Sequence, residues 1–274
     1  MTDRYAVIGN PIGHSKSPLI HLAFAGQTGQ EIEYVALEAP VGGFAAEVDT
    51  FRKAGGCGLN ITTPFKLDAF AYATELLPRA KLAGAVNAMK FEGGRVVADN
   101  FDGVGLTRDI TRNLGCPLQG RRVLVLGAGG AVRGAILPFL EQGPAQLVLA
   151  NRTVEKAQEL AGLFAAHGTL CAIGYEALAA QQPFDLVVNA TSASLHGELP
   201  PVPAASFGPH CLAYELAYGK GLTPFLRVAR SGGAERIADG LGMLVEQAAE
   251  AFAWWRGVRP DTPPMIQTLT IPLI

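Results

Sequence analysis

Short apolar runs bounded by glycine, proline and polar clusters alternate along this chain with stretches whose apolar positions recur at helical spacing. Over the first hundred residues the pattern predicts strands at 5–8, 33–37 and 58–61, with helices at 18–25 and 44–53 between them. Helices near 65–73 and 79–83 follow, then a hairpin of strands 88–91 and 96–98 joined across Gly93-Gly94. Residues 104–113 read as a connecting helix, closed by Leu114-Gly115 and a loop with Pro117 and Gly120. Strands at 123–126, 147–150, about 170–173, 185–189 and 212–216 come next, with helices between. Over 241–255 one long helix places Leu244, Ala248, Ala251, Phe252 and Trp255 on a common face.

This order predicts an α/β chain in two parts. The first is an α/β domain over 1–105 with a mainly parallel sheet, and the second a doubly wound, Rossmann-type domain over 106–239. The segment 240–274 is expected to return to the first domain and complete it. A ligand cleft is expected between the two, where C-terminal strand ends of both sheets converge.

Composition narrows the function. With 22 Lys+Arg against 24 Asp+Glu, the formal charge of −2 offers no basic field to nucleic acid or to an anionic membrane, so small-molecule ligands are expected. Cys57, Cys116, Cys171 and Cys211 lie far apart with no metal-type pairing, which predicts no metal site and a reducing, cytoplasmic setting. Gly, Pro and charges interrupt every apolar run before it reaches membrane-spanning length.

The apolar run 123–126 ends in Gly127-Ala128-Gly129-Gly130, a turn into a helix in which backbone N–H groups can approach a pyrophosphate. The next apolar run, 147–150, ends in Asn151-Arg152-Thr153. A dinucleotide site for NAD usually offers an acid to the ribose 2′-hydroxyl here, whereas a cation suits the 2′-phosphate of NADP. Arg152, with Thr153 as a helix N-cap and Lys156 one turn on, fits the second case. Val132 stands where the strict glycine pattern has a third glycine. The plainer alternatives are an ordinary strand-to-helix turn and a solvated arginine.

Three further segments carry candidate chemistry. Ser15 and Ser17 precede Pro18 at the expected start of a helix, where hydroxyls and exposed N–H groups either cap the helix or hold a carboxylate. Lys66 follows the strand 58–61, placed either as a proton donor to a reacting carbonyl or as a solvated first-turn lysine. Asp102, after the hairpin, is either a helix N-cap or the partner of Lys66.

Taken together, Gly9-Asn10-Pro11 with His14-Ser15-Lys16-Ser17-Pro18, the segments 60–66, 83–87, 99–103 and 127–131, Asn151-Arg152-Thr153, Asn189-Ala190-Thr191-Ser192 and 238–243 resemble the shikimate dehydrogenase family over nearly the whole chain. The resemblance implies NADPH-dependent, reversible reduction of 3-dehydroshikimate to shikimate in aromatic amino-acid biosynthesis, by a monomer or homodimer. It makes Lys66 and Asp102 the catalytic pair. Ser15 and Ser17 would bind the substrate carboxylate, with Thr62 and Tyr218 assisting, and Asn87, Asp102 and Gln247 would bind ring hydroxyls. On the cofactor side it implies Gly127, Ala128, Gly129, Gly130 and Ala131 at the pyrophosphate and Asn151, Arg152 and Thr153 at the adenosine phosphate. Lys156 stands where a second arginine is common, while Thr191, Gly240 and Met243 would line the nicotinamide side. The chain departs from the family at Ala88 and Phe101, usually Thr, and at Glu215, usually Asp. The first two predict a cleft stripped of hydroxyls, with quinate or another shikimate-like ring as the alternative substrate. A non-catalytic NADP-binding sensor is the rival from another class.

Overall fold

The computed structural model describes residues 2–273, and its chain divides into two compact units. Unit 1 comprises Met1–Gly105 with Val245–Thr268, and unit 2 comprises Leu106–Leu244 with Leu269–Ile274.

The elements of the first stretch are β1 (Asp3–Gly9), α1 (Ser17–Thr28), β2 (Ile32–Glu38), α2 (Phe44–Lys53), β3 (Gly56–Ile61), α3 (Lys66–Tyr72), β4 (Glu75–Leu76), α4 (Pro78–Ala83), β5 (Ala88–Glu92), β6 (Arg95–Asp99) and α5 (Asp102–Arg108). Their strands form one sheet in the order β2-β1-β3-β5-β6-β4. It is mainly parallel, as the alternation predicts, and the hairpin β5–β6 sets β5 alone antiparallel between β3 and β6. That reversal brings the start of β5 level with the end of β3, pairing Ala88 with Asn60 and with Asp99. The ends of β1, β3 and β6 and the start of β5 therefore share one edge of the sheet.

Alternation along β1 divides its side chains between two cores. Ala6 and Ile8 pack with Phe44, Val48 and Phe65 from the α2–α3 side. Tyr5 and Val7 pack on the other face with Tyr34, Phe101, Ala251 and Trp255. The last two lie on α9 (Leu241–Arg256), so the C-terminal helix does return to the first unit.

The remaining elements are β7 (Arg122–Leu126), α6 (Gly130–Glu141), β8 (Gln146–Ala150), α7 (Val154–Phe164), β9 (Leu170–Ile173), β10 (Phe184–Asn189), β11 (Phe207–Glu215), α8 (Pro224–Ser231), β12 (Arg236–Asp239) and α10 (Pro263–Leu269). The sheet of unit 2 is wholly parallel, in the order β12-β11-β10-β7-β8-β9. Numbered from β7, this is the 3-2-1-4-5-6 order of a doubly wound nucleotide fold, with its switch point between β7 and β10. Val123, Leu124, Val125 and Leu126 are all buried, as expected of a central strand covered on both faces.

The short strands β4 and β12 escape the sequence pattern because two and four residues carry too little periodicity. Helix α1 runs three residues past the predicted end, to Thr28, where Gly29 closes it in the left-handed conformation. The connecting helix begins two residues earlier than expected, at Asp102, and passes into a π-helical turn at Asp109–Asn113.

Candidate active site

At the common edge of the first sheet, the Lys66 Nζ donates to Asp102 Oδ2 at 2.5 Å. Lys66 opens α3 just after β3, and Asp102 opens α5 just after β6. The second oxygen, Asp102 Oδ1, accepts from Asn87 Nδ2 at 2.8 Å. Asn87 Oδ1 in turn accepts from the Phe101 backbone N–H at 2.8 Å, and Asn100 Oδ1 accepts from that of Asp102 at 3.0 Å. One amide thus holds both the turn and the carboxylate it carries. Gln247 Oε1 on α9 accepts from Asn87 Nδ2 at 3.4 Å and joins the cluster.

The loop after β1 carries Ser15 and Ser17. Ser17 is the first residue of α1 rather than its N-cap, a place taken by Lys16, and the Ser17 N–H donates instead to Ser15 Oγ at 3.3 Å. Pro18 fits the second helical position as well as the first, so the serine before it enters the helix instead of capping it. Thr62 lies between this loop and Lys66, its N–H donating to the Ile8 carbonyl at 3.0 Å. Asn60 was not singled out in the sequence. It is 5% exposed, accepts from Tyr34 Oη at 2.7 Å and donates to the Asn87 carbonyl at 3.4 Å. A lone amide closing an otherwise apolar strand was the available signal. Burial holds the Tyr34 phenol well above its ordinary range, so it acts as a neutral donor.

Ala88 and Phe101 both belong to an apolar core of the first unit. Ala88 is fully buried and Phe101 is 3% exposed, in the core that α9 covers. The Phe101 ring sits beneath the Arg79 guanidinium at 5.1 Å and meets Trp254 edge-on at 5.7 Å. Strand alternation turns Ala88 inward on β5, and the turn between β6 and α5 carries the Phe101 ring into the same core.

In unit 2, Gly127 follows β7 with φ +109°, a conformation that L side chains rarely adopt, and a Cβ there would stand 3.2 Å from the Ala190 carbonyl. Gly129 is the N-cap of α6 and Gly130 its first residue, with Ala131 following. Val132 is 1% exposed, packed inward. Ala128, Gly129, Asn151, Arg152, Thr153 and Lys156 line one cavity of about 200 Å³. Neither Arg152 nor Lys156 makes an ion pair with any described residue, so both charges face that cavity's surroundings unneutralised. Thr153 occupies the N-cap position of α7 with no side-chain cap bond, and its carbonyl accepts from Asn151 Nδ2 at 2.8 Å. These residues fit a phosphate-bearing group: flexible glycine backbone, a helix start and two uncommitted cations.

Thr191 packs beside Gly127, and both its N–H and Oγ1 donate to Asn189 Oδ1, at 3.1 and 2.7 Å. Gly240 is buried against the Leu216 carbonyl, with no room for a Cβ. The Met243 N–H donates to Tyr214 Oη at 3.3 Å, and Tyr214 donates to Asp109 Oδ2 at 2.7 Å. Tyr218 is exposed in unit 2, whereas the other expected substrate-binding residues belong to unit 1.

A doubly wound sheet with a cation-lined pocket at its glycine turn, and a second unit bearing a lysine–carboxylate pair, define a dinucleotide-dependent oxidoreductase. Family models match the chain as "Shikimate dehydrogenase substrate binding domain" over 7–89, "Shikimate / quinate 5-dehydrogenase" over 109–196 and "Shikimate 5'-dehydrogenase C-terminal domain" over 240–270. A curated shikimate dehydrogenase (NADP(+)) of Chromobacterium violaceum is 59% identical over 262 residues, 96% of each chain. The crystal structure of an Ael1 enzyme from Pseudomonas putida is 62% identical, with a TM-score of 0.96 and full coverage of both chains. The shikimate 5-dehydrogenase of Thermus thermophilus, in complex with NADP(H) and shikimate, is 34% identical over 97% of this chain and 98% of that one, with a TM-score of 0.86. The chain belongs to the shikimate dehydrogenase family.

Proposed function

We propose that this chain is an NADP-dependent shikimate dehydrogenase that reversibly reduces the C3 carbonyl of 3-dehydroshikimate, a step of aromatic amino-acid biosynthesis. The observation that carries the reading is the 2.5 Å contact between Lys66 Nζ and Asp102 Oδ2, held from the far side by Asn87. Bound NADPH supplies the hydride. Charge then builds on the former carbonyl oxygen, and the Lys66 ammonium stabilises it and delivers the proton. Asp102 orients the ammonium and accepts from a ring hydroxyl, with Asn87 and Gln247 fixing neighbouring hydroxyls. Ser15 and Ser17, assisted by Thr62, hold the substrate carboxylate.

Gly127, Ala128, Gly129, Gly130 and Ala131 take the pyrophosphate, Asn151, Arg152, Thr153 and Lys156 the adenosine phosphate, and Thr191, Gly240 and Met243 the nicotinamide side. The setting proposed is a reducing, cytoplasmic one, in keeping with four cysteines spread far apart in the chain. No helix among the described residues is long and apolar enough to cross a membrane.

Steady-state assays with shikimate and quinate, each with NADP and NAD, test the reading. The expected result is the highest kcat/KM for shikimate with NADP. A higher value for quinate, or NADPH binding without turnover of either ring, overturns it.

A further inference from the structure

Glu215 ends β11 with no exposed surface, and no Lys, Arg or His among the described residues pairs with it. Burial raises its carboxyl above the ordinary range, opposed by the hydroxyl, amide and N–H groups around it. Asn189 Nδ2 donates to both of its oxygens, at 3.2 and 3.0 Å. Thr223 Oγ1 donates to Oε2 at 3.2 Å, Ser194 Oγ donates to the same oxygen, and the Ala217 N–H donates to Oε1 at 3.5 Å. One carboxylate therefore gathers groups from the end of β10, the turn after it, the turn after β11 and the start of α8.

An ionised carboxylate only accepts, and this decides which way its neighbour faces. With Nδ2 turned to Glu215, Asn189 must present Oδ1 to Thr191, where it takes both the N–H and the hydroxyl. Thr191 Cγ2 and the Ala190 carbonyl lie against Gly127 at the switch point of the sheet, so the orientation of one amide sets the wall beside the glycine turn. We propose that Glu215 is a positioning residue for the cofactor, acting through Asn189 to hold the 190–194 segment where bound NADPH meets it. The assignment rests on the reading of unit 2 as the NADP site.

Glu215→Gln keeps the volume and loses an acceptor; Glu215→Asp keeps the acceptors and loses volume. NADPH Kd, measured by nucleotide fluorescence, and KM for each substrate separate the two. Glu215→Gln should raise NADPH Kd about tenfold, the worth of one charge-assisted hydrogen bond. KM for shikimate should stay near wild type, and Glu215→Asp should bind NADPH more tightly than Glu215→Gln. Thr191→Val alone should also raise NADPH Kd, and combined with Glu215→Gln it should add less than the sum of the two. Unchanged Kd in Thr191→Val, additive effects, or a weaker Glu215→Asp than Glu215→Gln overturns the assignment, and Thr191→Val decides it should Glu215→Gln fail to fold. Wild-type protein that binds no NADPH overturns instead the cofactor reading beneath it.

Discussion

Lys66 and Asp102 lie 36 residues apart in the chain yet meet at 2.5 Å, because an antiparallel hairpin sets the end of β6 level with the end of β3. Asn87, at the hairpin's entry, restrains the acid from its other oxygen. A group that assists only as charge develops on the substrate oxygen contributes to kcat more than to ground-state binding. Lys66→Ala is expected to lower kcat by about 10²–10⁴-fold, the usual range for a positioned general acid, with a smaller change in KM for shikimate. Steady-state kinetics in both directions checks this, and an unchanged kcat contradicts it.

Arg152 and Lys156 line the cavity beside Gly129 without anionic partners among the described residues. Hydrogen bonds to a charged group are worth about 1.5–3 kcal/mol, roughly tenfold to a hundredfold in affinity. Arg152→Ala should raise KM for NADPH by that factor and leave KM for NADH almost unmoved, since NADH has no 2′-phosphate. Equal effects on both cofactors would mean that the guanidinium serves the fold or the adenine instead.

Most of the fold was legible because its signals are local. The glycine turn after 123–126 and the cation after 147–150 need only strand ends in order, and the β7–β8 pairing with Leu126 opposite Ala150 sets them side by side. The Lys66–Asp102 pair was open on local evidence, since only the antiparallel insertion of β5–β6 decides that the two ends coincide. Asn60 was missed for a related reason: its partners Tyr34 and Asn87 come from β2 and from the turn before β5. The burial of Ala88 and Phe101 was not legible either, because a motif gives their neighbours in the chain but not the core into which their side chains pack.

That burial makes Phe101 a matter of stability more than of specificity. Replacing it by Thr removes a ring clamped between Arg79 and Trp254 and leaves a hydroxyl in an apolar core. Large-to-small changes at such sites cost about 3–5 kcal/mol. Phe101→Thr should therefore lower the free energy of unfolding, measured in urea, by an amount of this order. The ratio of kcat/KM for shikimate over quinate should hardly change, and a shift toward quinate with stability intact would return Phe101 to the substrate site.

His21 on α1 lies fully buried, stacked on Tyr34 at 4.3 Å with the rings 6° from parallel and 5.4 Å from Trp255. Burial pulls its pKa from 6.5 down to about 3. Between those values the unfolded chain binds a proton that the folded chain refuses, so stability from this residue is fully present above about pH 6.5 and drains away as the pH falls. The slope is about 1.4 kcal/mol per pH unit, or about 2 kcal/mol at pH 5 relative to pH 7. His21→Phe keeps a stacked ring and removes the titration. Whatever it costs at pH 7, its deficit against wild type should shrink by that amount at pH 5, as measured by urea unfolding at both values. A deficit that stays constant across this window would show that the buried imidazole is not what makes the first unit sensitive to acid.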